Sequence, residues 1–257
     1  MIRICVKKPL YSYERVVYPN NLIDSKADII RYMRYTDGEV EGLKYKEKDE
    51  TLINDLTLSE DELFMLYDKK VRNEIRRADK EDISFVFFNA KEVSKNSDKV
   101  KEVINKYYDF CDGINKPELK NNLNQDEFKA FVANENIAIS KAEYGDGWVY
   151  HIYMYDDKTA MLWFSFSDYR NLEGKNQVAG WANRALHHKD MMAFKELGLE
   201  KYEWGGISSS KEPNGIDKFK MNFGGMVTNV YYDFKGNTLK GKILIGLKSL
   251  ISKREAE

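Results

Sequence analysis

The 257-residue sequence lacks several features that define large classes of protein. Its two cysteines, Cys5 and Cys111, are too few for a disulfide framework and have no Cys/His spacing suited to zinc. No apolar run is long enough to span a bilayer, and the first residues contain no signal-peptide core. These absences predict a reduced, cytoplasmic protein without a bound metal.

The sequence also has little excess charge of either sign. Lys and Arg number 41 and Asp and Glu 42, so the formal net charge is -1. This balance argues against a surface that coats nucleic acid, although a local basic patch could still bind phosphates. The length is sufficient to bury a substantial core in one large or two small domains.

Hydrophobic patterns predict alternating helices and strands from residue 57 onward. Ser59 and Glu62 form a capping box, which predicts a helix that runs through to Ala78. Gly198 is expected to end a second, longer helix. The other predicted helices are at 28–35, 100–111, 126–134, 178–197 (the long helix) and 215–222. The predicted strands are at 83–89, 137–143, 148–155, 159–167 and 199–204, with a hairpin at 226–234.

This order predicts an α+β fold with a mixed, mainly antiparallel sheet and helices on both faces. We expect three parts: an N-terminal partial lobe at 1–56, a main domain at 57–238 and a C-terminal amphipathic helix at 239–257. The last part is apolar with interspersed lysines. Such a helix can lie on an anionic membrane, pack on its own domain or pack across a homodimer.

Three motifs carry a family resemblance. The first is Gln177-Val178-Ala179-Gly180-Trp181-Ala182, and the second is Tyr202-Glu203-Trp204-Gly205-Gly206-Ile207 followed by Phe219-Lys220-x-x-Phe223-Gly224-Gly225. The third, weaker motif is the basic helix at 69–78. With these motifs the chain resembles the GNAT superfamily of acyltransferases and, within it, the Fem-type aminoacyltransferases that build peptidoglycan cross-bridges. Residues 1–56 are too short for the complete first GNAT-like lobe of Fem-type enzymes, so a short N-terminal extension replaces it.

The resemblance implies a donor site at Gln177, Gly180 and Ala182, which match the pyrophosphate-binding turn of CoA-using GNAT enzymes. Amide groups at a helix N-terminus favour phosphate, and a glycine allows close backbone approach. The donor is then acyl-CoA, used as a co-substrate, with no permanently bound cofactor. Aminoacyl-tRNA is the alternative donor that the Fem-type motif implies. A simple turn is the structural alternative for this glycine.

Acyl transfer to an amine needs a neutral nucleophile, a polarised carbonyl and stabilisation of the oxyanion. Lys220 lies where the family places a lysine close to the reacting carbonyl or to the donor's leaving group. The alternative is a surface lysine on a short amphipathic helix whose Phe219 and Phe223 face the core. Glu203, in mid-strand, is a candidate general base, although a structural salt bridge explains it equally well. His187 lies where Fem-like sequences often carry a histidine, but an isolated helix histidine is more often packed or solvated.

The acceptor is expected to be an amine on a small molecule, for example a nucleotide-sugar. Arg72 and Arg76 are one helical turn apart and could grip a diphosphate or a tRNA backbone. A solvated, charged helix face is the commoner explanation. The remaining candidate substrate-binding residues are the aromatic ones of the second motif, Tyr202, Trp204 and Phe219.

The leading interpretation is an N-acyltransferase that moves an acyl group from acyl-CoA to an amine of an amino-sugar or another cell-envelope precursor by direct attack. The first alternative is a Fem-like, aminoacyl-tRNA-dependent aminoacyltransferase of peptidoglycan or envelope glycan synthesis. The second alternative is a catalytically silent GNAT-like binding module.

Overall fold

The computed structural model describes residues 1–36, 40–43, 47–168 and 176–254, and the side chains within these ranges except those of 176 and 248–254. The chain forms two compact units. The first comprises Met1–Glu50 and Thr228–Glu257, and the second comprises Thr51–Val227. The C-terminal segment therefore belongs with the N-terminal one, a grouping that differs from the three consecutive parts expected from the sequence.

The strands and helices are numbered in chain order. The strands are β1 (Ile2–Lys7), β2 (Ser12–Val17), β3 (Ile29–Tyr35), β4 (Glu47–Asp55), β5 (Ser84–Phe88), β6 (Ile137–Tyr144), β7 (Gly147–Tyr155), β8 (Thr159–Ser167), β9 (Lys201–Ile207) and β10 (Met226–Gly236). The helices are α1 (Glu60–Leu66), α2 (Lys69–Ala78), α3 (Ala90–Ser94), α4 (Ser97–Gly113), α5 (Gln125–Ala133), α6 (Asn176–Glu196), α7 (Gly215–Met221) and α8 (Leu239–Arg254). A 3-10 helix, Pro117–Asn122, follows α4.

The first unit contains strands in the order β1-β2-β3-β10, followed in the chain by α8. The β1–β2 and β3–β10 pairs are antiparallel, whereas β2 and β3 are parallel. The helix predicted at 28–35 is wrong, because this segment is strand β3. Ile30 and Tyr32 are buried with partly exposed residues between them, so pairing with β2 and β10 overrides the local pattern.

The second unit contains strands in the order β4-β9-β8-β7-β6-β5. The pairings β5–β6, β6–β7 and β7–β8 are antiparallel, and β8 pairs with β9 in parallel. Four successive residues, Ile137–Ser140, are completely buried at the start of β6, which requires cover on both faces of the sheet. Helices α3 and α6 both contact β6. The predicted α+β fold with a mixed, mainly antiparallel sheet is confirmed.

Helix boundaries show where local signals were sufficient. The capping box of Ser59 and Glu62 begins α1 as predicted, and Gly198, with a φ of 85°, ends α6. The single helix predicted from Ser59 to Ala78 is wrong, because extended backbone at Tyr67 separates α1 from α2. The hairpin predicted at 226–234 is also wrong, since this segment lies within the single strand β10.

A helix that crosses a bilayer needs about 20 predominantly apolar residues. None of the described helices is both long enough and apolar enough to do so.

Candidate active site

One face of α6 carries polar side chains into the core of the second unit. Asn183, His187 and Asp190 are spaced four and three residues apart, so they lie on the same side of the helix. His187 and Asp190 are each 1% exposed. Buried polar groups of this kind require hydrogen-bond partners, and strands β6, β7 and β9 supply them.

Asp190 is the acceptor at one end of a buried hydrogen-bond network. Its Oδ2 atom accepts from Ser140 Oγ at 2.8 Å and from Tyr153 Oη at 2.6 Å. The Nδ1 atom of His151 lies 2.8 Å from the same oxygen, and the Nε2 atom of His151 lies 2.8 Å from Asn183 Oδ1. The carboxylate is thereby held by side chains from two neighbouring strands, β6 and β7.

The network continues from Asp190 to His187 in one direction. Burial raises the pKa of Tyr153 and of Tyr202 well above the usual range, so both phenols keep their protons. Because Tyr153 donates to the carboxylate, its oxygen must accept from Tyr202 Oη, 2.9 Å away. Tyr202 in turn accepts from His187 Nδ1 at 2.8 Å. His187 therefore carries its proton on Nδ1 and a lone pair on Nε2.

Aromatic rings surround the imidazole of His187. The ring centroid of Trp204 lies at 4.6 Å, that of Phe219 at 5.6 Å and that of Phe223 at 5.7 Å, while His151 stacks at 4.0 Å. Burial, followed by the charges of neighbouring groups including Lys220, lowers the pKa of His187 well below its ordinary value. The imidazole is consequently neutral at physiological pH.

Lys220 lies beside this aromatic cluster, on α7. A capping box at Asn214 and Asp217 begins the helix, and Lys220 in its last turn donates to the carbonyl oxygen of Gly206 at 2.6 Å. The contact places an ammonium group at the end of β9. Glu203 is 1% exposed and, by the alternation of side chains along β9, points to the face opposite Tyr202 and Trp204. The structure thus brings Lys220 and His187 together and leaves Glu203 on the other face.

An open groove of about 480 Å³ lies where α2 meets the start of α6. The residues that line it are Lys69, Lys70, Asn73, Glu74, Arg77 and Gln177. The groove is called the basic groove below, because it carries three cations and one carboxylate. Two features that the sequence analysis treated separately, the basic helix and the Gln177 motif, therefore meet on one surface.

Arg184 connects the basic groove with the aromatic cluster. Its Nε atom forms an ion pair of 2.8 Å with Glu74 of the groove, and its guanidinium lies 4.9 Å from the ring centroid of Phe219. Nη1 also donates to the carbonyl oxygen of Gly180 at 3.1 Å. Burial lowers the pKa of Arg184, and Glu74 opposes that shift. A continuous path of contacts leads from the groove through Arg184 and Phe219 to His187.

Several predicted site residues have other positions. Tyr202, Trp204 and Ala182 are 0% exposed, and their side chains pack in the core. Their contacts with a ligand stay predictions. Gln177 and Gly180 belong to the first turns of α6 and not to a turn ahead of it. Gln177 nevertheless lines the basic groove.

The two arginines predicted to act as a pair do not line the groove. Arg72 donates to the carbonyl oxygens of Met65, at 3.0 Å, and of Tyr67, and so caps the C-terminal end of α1. The guanidinium of Arg76 lies 5.2 Å from the ring centroid of Phe64. The groove is lined by the neighbouring helix face with Lys69, Lys70 and Arg77, whereas Arg72 and Arg76 contact α1.

The residues that connect the site were not predicted from the sequence. Arg184 follows Gly180 by one helical turn, and Asp190 follows His187 by three residues, so helical spacing alone places each pair on a common face. His151 and Tyr153 alternate along a strand and therefore also share a face. Their convergence with α6 depends on tertiary packing that no local pattern specifies. Among the described residues, no group of three or more His, Cys, Asp or Glu side chains could hold a metal ion.

Comparisons with known proteins agree with the fold. No family model matches the chain, and no curated protein matches it in sequence. Among solved structures, the C-terminal domain of a putative lysylphosphatidylglycerol synthetase from Agrobacterium fabrum aligns with a TM-score of 0.55 at 12% identity, over 96% of this chain and 85% of that one. The chain shares the fold of that domain. At this level of identity the likeness concerns the fold alone.

Two further solved structures are more distant. FemX aligns with a TM-score of 0.47 at 13% identity, over 89% of this chain and 83% of that one. L-PGS from Bacillus licheniformis aligns with a TM-score of 0.46 at 12% identity, over 96% of this chain and 84% of that one.

Proposed function

We propose that the protein is an acyltransferase that takes its acyl group from a phosphate-bearing carrier bound in the basic groove. The observation that carries this proposal is the meeting of Lys69, Lys70 and Arg77 with Gln177 at the start of α6. Cations and helix-entry amides both favour phosphate oxygens, and the volume of about 480 Å³ suits a ligand of the size of a cofactor.

The leading donor is acyl-CoA and the leading acceptor is an amine on an amino-sugar or another cell-envelope precursor. The neutral amine attacks the thioester carbonyl, a C–N bond forms, the C–S bond breaks and the thiolate leaves with a proton. The Lys220 ammonium at the end of β9 is the group to which we assign stabilisation of the oxyanion, because a fixed positive charge favours the developing negative charge.

His187 receives a positioning role in this proposal. Its imidazole is 1% exposed, so Nε2 does not contact an acceptor in the packed arrangement. In the packed arrangement, Nδ1 holds Tyr202 of β9 and the ring supports Trp204 and Phe219. Glu203 lies on the opposite face of β9 from this cluster, and we assign it no catalytic step.

Aminoacyl-tRNA is the second candidate donor. The groove is open, and its three cations could equally bind the phosphates of a single-stranded tRNA end. The A. fabrum domain of the same fold comes from a protein named for aminoacylation of a lipid, which also suits an aminoacyl donor. A binding module without catalysis is the third candidate, and turnover would exclude it.

Calorimetry with CoA tests the donor site. In the variant Lys69→Ala/Lys70→Ala/Arg77→Ala we expect CoA affinity to fall about tenfold or more, since three phosphate contacts are lost. The matched control Lys91→Ala/Lys95→Ala/Lys129→Ala removes the same charge from exposed positions in α3, directly after α3 and in α5. This control should bind CoA as the wild type does. Equal affinities for the two variants, or no CoA binding by the wild type, would exclude the acyl-CoA proposal.

A turnover assay on the wild type and a Lys220 variant separates donor binding from the chemical step. With acetyl-CoA as donor and amino-sugars as acceptors, thiol release reports turnover. Lys220→Met should keep the CoA affinity of the wild type while turnover falls by about 10²-fold, the usual effect of losing one oxyanion-stabilising group. Unchanged turnover would remove Lys220 from the chemistry and leave the donor site intact.

A further inference from the structure

Helix α8 presents an apolar stripe to solvent. Leu239, Ile243 and Leu247 follow one another at intervals of four residues, so they lie on one side of the helix. They are 76%, 55% and 52% exposed. Three large apolar side chains in a continuous row are unusual on a soluble surface and mark a contact with a partner or a membrane.

The orientation of α8 is fixed by close packing within the first unit. A Cβ atom at Gly241 would overlap the carbonyl oxygen of Asp28, so the helix is in direct backbone contact on that side. Thr238 accepts from the amide of Gly241 at 3.1 Å and donates to Asp28 Oδ1 at 2.8 Å. This anchored start turns the Gly241 side inward and the stripe outward.

Lysines flank the stripe on both sides. At 100° per residue, Lys240 and Lys242 lie at opposite borders of the row formed by Leu239 and Ile243, and both are exposed. Lys240 also has a distant ion pair with Asp28, at 3.9 Å. The α8 sequence contains five cationic and no acidic residues (LKGKILIGLKSLISKR). Long lysine side chains beside apolar ones can extend to lipid head groups while the apolar row enters the acyl boundary.

We propose that α8 docks the protein on an anionic lipid surface, with the stripe of Leu239, Ile243 and Leu247 facing the bilayer. The charge of the helix selects this occupant, because anionic head groups complement a helix whose charged residues are all basic. An apolar surface of a second copy would complement the stripe but not the lysines that border it. The proposal concerns the first unit and does not depend on the donor or the acceptor.

Vesicle sedimentation with the full chain tests the docking surface. Wild-type protein should bind vesicles of phosphatidylcholine mixed with phosphatidylglycerol and bind pure phosphatidylcholine weakly. Leu239→Ser/Ile243→Ser/Leu247→Ser should lower the partition coefficient by more than tenfold, and Lys240→Gln/Lys242→Gln by about tenfold on the anionic vesicles. The matched control Leu10→Ser/Met65→Ser/Leu197→Ser changes exposed apolar residues elsewhere and should bind as the wild type does.

Circular dichroism and light scattering complete the test. Similar thermal unfolding of all variants shows that the changes act on binding and not on folding. The proposal is overturned if wild-type protein ignores anionic vesicles, or if the stripe variant binds them as well as the control variant does. A wild-type dimer that the stripe variant converts to a monomer, without vesicle binding, would assign the stripe to a second copy of the chain.

Discussion

At the scale of single residues, the site depends on a carboxylate that dictates where protons lie. Asp190 can only accept, so Tyr153, Tyr202 and His187 must each donate toward it in turn. Each donor therefore has an acceptor: His187 donates to Tyr202, Tyr202 to Tyr153 and Tyr153 to Asp190. The network therefore fixes one tautomer of His187 and one arrangement of α6, β7 and β9, as expected where buried polar networks specify a unique core.

The burial of the His187 imidazole predicts that the stability of the protein depends on pH. The folded pKa of His187 is lowered well below 6.5, so the unfolded chain binds a proton that the folded chain does not. The contribution of His187 to stability is full above pH 6.5 and is lost as pH falls below that value, by up to about 1.4 kcal/mol per pH unit. In His187→Gln, whose amide can still donate to Tyr202, the free energy of unfolding should fall less steeply with acidification.

Urea unfolding at a series of pH values measures this effect. His188→Gln is the comparison, because His188 also has a lowered pKa but Glu60 lies 3.4 Å from its Nε2 atom and opposes the shift. Its removal should change the pH profile less. If the profiles of His187→Gln and wild type are parallel, His187 is not held neutral in the folded state.

At the scale of elements, glycines with positive φ determine where backbones meet. Gly224 has a φ of 70°, and a Cβ atom there would lie 2.9 Å from the carbonyl oxygen of Leu66, at the end of α1. Gly198 has a similar φ of 85° but no atom within 4 Å of its Cβ position. Glycine is therefore required at position 224 by both the positive φ and the close contact, and at position 198 by the positive φ alone.

The two glycines give a matched pair of variants. Gly198→Ala should lower the free energy of unfolding by about 1 to 2 kcal/mol, the cost of a left-handed residue with a side chain. Gly224→Ala should lose this amount and more, because Leu66 must also move. Urea denaturation measures both values. Equal losses would mean that the contact between the Gly224 backbone and Leu66 is looser than the structure has it.

Elements with local causes could be predicted from the sequence, whereas elements that depend on tertiary contacts could not. The capping box at Ser59 and the C-terminal glycine at Gly198 were predicted because each signal is contained within a few residues. Strand β3 was missed because its pairing partners, β2 and β10, determine it. In the site, Lys220 and Gln177 were predicted from motifs, whereas the position of Arg184 depends on the packing of α2 on α6.

At the scale of the whole molecule, nearly balanced charge contrasts with two local concentrations of cations, the basic groove and α8. A formal net charge of -1 gives no long-range attraction for polyanions. Any nucleic acid must therefore be bound by local contacts. The binding free energy of aminoacyl-tRNA, the second candidate donor, must therefore come from the few cations that it contacts directly.

The salt dependence of tRNA binding follows from that restriction. If the single-stranded end of tRNA contacts only Lys69, Lys70 and Arg77 of the groove, the slope of log K against log salt concentration should be about -2. CoA should displace the tRNA because both ligands need the same cations, and the groove triple variant should lose the slope that the Lys91/Lys95/Lys129 control retains. Filter binding over a series of salt concentrations measures these slopes. A much steeper slope, with no displacement by CoA, would place tRNA on a surface outside the groove and would exclude the groove as the site of an aminoacyl-tRNA donor.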